Sequence, residues 1–142
     1  MAKIVWSKRY SVNVTKLDSQ HRRIAELVNS VNERIRARED SKGIVDGFTE
    51  LIEFTKGHFE TEEALMKKLD YADSKKHKKE HKELVNLLRD VRKQFRKEAK
   101  SFGDFDYDVA KDWLAIHTDW FSVHLAHSDK DFGAFLNRKG IE

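Results

Sequence analysis

The 142-residue chain contains no cysteine and no proline. Without cysteine there are no disulfides, no thiolate zinc sites and no cysteine nucleophile. Without proline, nothing forbids long unbroken helices. No stretch approaches the roughly 20 apolar residues of a membrane-spanning helix. MAKIVWSKRY at the N-terminus has no apolar run of signal-peptide length. A cytoplasmic protein with no membrane segment is therefore expected. The formal net charge is only +3. The lysines between Lys67 and Lys82 are broken by Asp70, Asp73 and Glu80. Such a run reads as a solvated helix face, so no nucleic-acid partner is expected.

What the chain has is helical periodicity. At this length one domain over residues 1–142 is expected. Residues 1–17 carry no helical stripe and read as an extended arm, with Trp6 pinned on the core. Asp18 is placed to cap a first helix from about Ser19 to Arg38, whose apolar stripe is Ile24, Leu27, Val28, Val31 and Ile35. Glu39–Gly43 forms a turn. A second helix carries Ile44, Phe48, Leu51, Ile52, Phe59, Leu65 and Met66 on one face. After a break near Tyr71–Ser74, a third continues from His77 and His81 through Leu84, Leu88, Val91 and Phe95. A third break at Ser101–Asp104 precedes a fourth helix with Val109, Trp113, Leu114, Trp120, Phe121 and Leu125. The expectation is all-α: an up-down-up-down four-helix bundle with an extended N-terminal arm.

Five of the seven histidines and two acids fall inside these stripes: His21; His58 and Glu62; His77 and His81; His124 and Asp129. His58/Glu62 and His77/His81 are each four apart and so share a helix face. Every buried imidazole needs a partner or costs about 1–3 kcal/mol. A buried unpaired carboxylate costs several kcal/mol more. A metal removes both objections, because neutral imidazole and carboxylate are metal ligands. Five imidazoles and two carboxylates exceed what one ion with an open position needs. They suit two ions bridged by Glu62 and Asp129, with three histidines on one and two on the other. That asymmetry leaves one place for a small ligand. A histidine-rich set favours lower iron oxidation states than a carboxylate-rich one, and fits reversible O2 binding better than oxygen activation.

These motifs resemble the hemerythrin family, in particular its single-domain bacterial members. His21 lies in LDSQHRRI, His58 and Glu62 in HFETE, His77 and His81 in HKKEH, and His124 and Asp129 in HLAHSDKDFGAFL. The resemblance runs from about Val5 to Lys139. It implies two non-haem iron ions with a bridging oxo or hydroxo group, O2 as ligand, and binding of small anions such as azide. It also implies an apolar pocket, whose walls by position are Ile24, Phe59, Trp120, Phe121 and Leu125.

His117 and His124 each follow a tryptophan by four. Asp129 favours His124 as the ligand, leaving His117 as a residue behind the ligands or a plain core histidine. His127 is expected to face solvent. HKKEH also matches the His-x-x-Glu-His pattern of inverted zinc peptidases, but within this set Glu80 reads as solvent-facing. The functional rivals are a di-iron enzyme on the same scaffold (an oxidase, peroxidase or nitric oxide reductase) and an O2 or redox sensor.

Overall fold

The computed structural model describes residues 4–98 and 107–142. Within them α1 spans Thr15–Arg36, α2 Ser41–Lys68, α3 Ser74–Glu98, α4 Tyr107–His124 and α5 Lys130–Arg138. A π turn, Leu125–Asp129, joins α4 to α5, so these form one long fourth helix. Each long helix packs on its sequence neighbour, and α4 also packs on α1. This is the expected four-helix bundle, with no strand among the described residues.

The helices start and stop for local reasons. Asp40 caps α2 by accepting a hydrogen bond from the Gly43 N–H at 2.9 Å, so α2 begins at Ser41, inside the expected turn. Arg38 and Asp70 adopt left-handed backbone after α1 and α2. There the Glu39 N–H reaches the Arg34 carbonyl and the Tyr71 N–H that of Met66, which satisfies late helix carbonyls. The expected break at Ser101–Asp104 lies outside the described residues.

Asp18 is not the cap of the first helix. α1 begins at Thr15 after an extended Val14 that makes no side-chain cap. Asp18 sits in the first turn and accepts instead from Ser11 Oγ (2.6 Å) and the Val12 N–H (2.8 Å). Its carboxylate therefore anchors the arm. Among the described residues the arm before Thr15 holds one 3-10 turn at Lys8–Tyr10 and a left-handed residue at Asn13, while residues 15–17, expected in the arm, belong to α1. Ile4 is held by a reciprocal pair of hydrogen bonds with Asn29. Trp6 packs on the main core, as expected, 6.5 Å from the His21 ring.

Two apolar clusters flank the buried histidines. The larger runs from Ile24 and Phe59 to Ile35, Phe48 and Phe95. The smaller, made of Val12, Val14, Leu17, Met66, Tyr71, Phe132 and Leu136, closes the arm's end of the bundle. Phe132 stands edge-on to His77 at 5.7 Å. Polar ligand atoms thus lie between two dry layers.

Candidate metal centre

Every one of the seven predicted residues is at most 3% exposed. α1 supplies His21; α2 His58 and Glu62; α3 His77 and His81; α4 His124; and the π turn Asp129. Their polar atoms converge. Glu62 Oε1 lies 3.1 Å from His81 Nε2 and 3.4 Å from His58 Nε2, and Glu62 Oε2 lies 3.6 Å from His21 Nε2. Asp129 Oδ1 lies 2.9 Å from His77 Nε2 and 3.0 Å from His124 Nε2, and Oδ2 lies 3.3 Å from His21 Nε2.

The π turn makes this possible. Five residues on an ideal α-helix turn through about 140° beyond a full revolution, which would part His124 from Asp129. A π turn closes i to i+5 and brings both to the same side.

These contacts are close but are not hydrogen bonds. All five Nε2 atoms, both Glu62 oxygens and both Asp129 oxygens are buried without a hydrogen-bond partner. Such a set is costly unless something fills its centre. Two ligands at right angles, each about 2.1 Å from an ion, lie about 3 Å apart, which matches the shorter separations. The atoms divide into two groups that could each hold an ion: Glu62, His77, His81, His124 and Asp129 in one, His21, His58 and Glu62 in the other.

The electrostatics ask for positive charge. Burial opposes protonation of His124, but Asp129 and then Glu80 outweigh it and push its pKa up to about 10. Burial also opposes charge on His21, which Asp129 and Glu62 raise. Burial disfavours charge on Glu62, yet His58, His21 and His81 hold it well below the usual carboxylate range. Asp129 is likewise lowered against burial and Glu62, chiefly by His124 and His21.

Behind the cluster, each helix supports a histidine on the next. Gln20 of α1 hydrogen-bonds His58 Nδ1 (2.6 Å), Glu63 of α2 meets His81 Nδ1 (3.3 Å), and Glu80 of α3 accepts from His124 Nδ1 (2.9 Å). Glu80 also accepts from Ser128 Oγ in the π turn, at 2.7 and 3.0 Å. Glu80 is therefore only part-exposed and fully engaged, which corrects the solvent-facing expectation. The hydrogen bond to His124 lowers its pKa to about 2, against some burial. Sequence reasoning missed all four. Their signal was adjacency: each neighbours a ligand candidate in sequence, and so projects about 100° round the helix toward the flanking helix.

Of the expected pocket walls, Ile24, Phe59, Phe121 and Leu125 are buried in the main core, and Phe59 stacks flat on His81 at 3.7 Å. Trp120 does not join them. It is 50% exposed, and with Glu80, Glu83, Leu84 and Val123 it lines a surface recess outside His124. The inward face of α4 is centred on Leu114, His117 and Phe121, which turns Trp120 to the edge of the helix. His117 is buried and stacks parallel on Phe121, outside both ligand groups. His127 is exposed, as expected.

Residues 12–136 match the hemerythrin HHE cation binding domain. A bacteriohemerythrin of Pseudomonas aeruginosa (strain LESB58) is 30% identical over 132 residues, covering 93% of this chain and 80% of that protein. A bacteriohemerythrin of Methylococcus capsulatus is 30% identical over 138 residues, covering 96% and 99%. A crystal structure of wild-type hemerythrin aligns with a TM-score of 0.79 at 29% identity, over 94% of this chain and 97% of that one.

Proposed function

This chain belongs to the hemerythrin family, and from that premise we propose that it binds O2 reversibly at a non-haem di-iron centre, as a carrier, store or delivery protein. The observation that carries this reading is the set of nine buried, partnerless nitrogen and oxygen atoms from five histidines and two carboxylates. His77, His81 and His124 would hold one iron and His21 and His58 the other, with Glu62 and Asp129 placed to be shared between them. Ferrous iron held there would supply the reducing equivalents for O2 binding.

The chain's own residues set the conditions. Five imidazoles against two carboxylates keep the anionic charge on the ions low, which favours the reduced state. With fewer histidines, the two-histidine side would leave room for a small ligand. The buried Ile24, Phe59, Phe121 and Leu125 would keep water and protons from the cluster, which would retard irreversible oxidation. No helix of the described residues is long and apolar enough to cross a membrane.

Absorption spectra of the iron-loaded protein test the reading. The expected result is an oxygenated spectrum that reverses under argon and is replaced when azide binds. One zinc and no iron would overturn it. Rapid bleaching with turnover of an added reductant would favour a di-iron enzyme instead.

A further inference from the structure

The hydrogen bonds behind the cluster are unequal in charge. On the three-histidine side, His81 and His124 each face a carboxylate, Glu63 and Glu80. On the two-histidine side, His58 faces the neutral amide of Gln20. Nδ1 of His21 and of His77 is buried with no partner. A carboxylate that accepts an Nδ1–H bond fixes the tautomer and makes the opposite Nε2 a stronger donor to a metal. Glu80 does more than orient one ring. Through Ser128 it also grips the π turn that presents Asp129.

We propose that Glu80 is the positioning residue for the fourth-helix ligands, and that the two metal positions are unequal as a result. The His77/His81/His124 position takes its ion first and releases it last. The His21/His58 position fills second and empties first. This rests on the two-ion reading above.

The test is an anaerobic titration of metal-depleted protein with Fe(II), and with Co(II) as a redox-silent probe, against a competing chelator. Two equivalents are expected, differing at least about tenfold in affinity. His58→Ala should keep the tight equivalent and lose the weak one, and His81→Ala the reverse. Glu80→Gln keeps the shape and a partner for Ser128 but removes the charge. It should weaken the tight equivalent about 10–100-fold while far-UV circular dichroism stays unchanged. In the Co(II) protein the exchangeable His124 Nδ1–H proton resonance should shift in Glu80→Gln. Ser128→Ala, which keeps the carboxylate, should leave that resonance in place. A merely structural role would move neither the resonance nor the order of filling.

Two ions of equal affinity would overturn this inference alone. So would a tight equivalent that survives His81→Ala, or unchanged affinity and resonance in Glu80→Gln. A capacity of one ion in all would overturn the two-ion reading itself.

Discussion

Asp129 Oδ1 stands 3.0 Å from His124 Nε2, although the two residues are five apart in a helix. The π turn places both on one side, and His117, two turns earlier, is buried against Phe121 outside both ligand groups. His124→Ala and Asp129→Ala should each lower the iron content, while His117→Ala keeps two irons per chain. Metal analysis of the purified variants checks this. Iron lost from His117→Ala but kept in His124→Ala would shift the ligand register by one heptad.

Glu62 belongs to both potential ligand groups, whereas each histidine belongs to one. Glu62→Ala should therefore cost more iron than any single histidine-to-alanine change. It leaves five imidazoles with one carboxylate between them. Full iron and an unaltered oxygenated spectrum in Glu62→Ala would rule out a shared bridge.

His117 gives the fold an acid sensitivity. Burial pushes its pKa down to about 4, against about 6.5 in the unfolded chain. The unfolded state therefore takes up the proton first. The stability is whole above about pH 6.5 and is lost as pH falls from there toward 4. At pH 5 the loss from this one group is about 2 kcal/mol. Urea unfolding of metal-free His117→Leu and of the parent, at pH 7.5 and pH 5, isolates it. The variant should gain on the parent by about that amount at pH 5. An equal gap at both pH values would show that His117 does not stay neutral in the fold.

Gly133 is where the arm touches α5. A Cβ there would lie 2.7 Å from Val12 Cβ and closer still to the Val12 carbonyl oxygen. The arm cannot yield freely, because Asp18 holds Ser11 and Val12. Gly133→Ala should destabilise the protein by about 1–3 kcal/mol, read as a lower Tm. Asp18→Ala combined with it should cost less than the sum of the two changes, since the freed arm can move away. Strict additivity would mean that the two sites do not share the arm.

The sequence by itself determined the four amphipathic helices, the ligand candidates and the family. The helices and the shared faces follow from local periodicity, since His58 and Glu62, or His77 and His81, share a face wherever they are helical; the family follows from the resemblance of the motifs. It also made His124 the better candidate than His117, because only His124 has an acid five residues downstream, as the family pattern has it; His117 has Ser122 there. Tertiary structure decided the rest. Asp18 could be a cap or an anchor, and only the returning arm selects the anchor. Trp120 was as good a wall as Phe121 by spacing, but the rotation of α4 against α1 and α3 turned it outward. Glu80 looked solvent-facing because its partners, His124 and Ser128, lie 44 and 48 residues away. The π turn, too, shows no period of its own in the sequence. Periodicity reports which side of its own helix a residue occupies. Which neighbour waits there depends on how the helices are rotated and packed, and that is settled by burying the whole core at once.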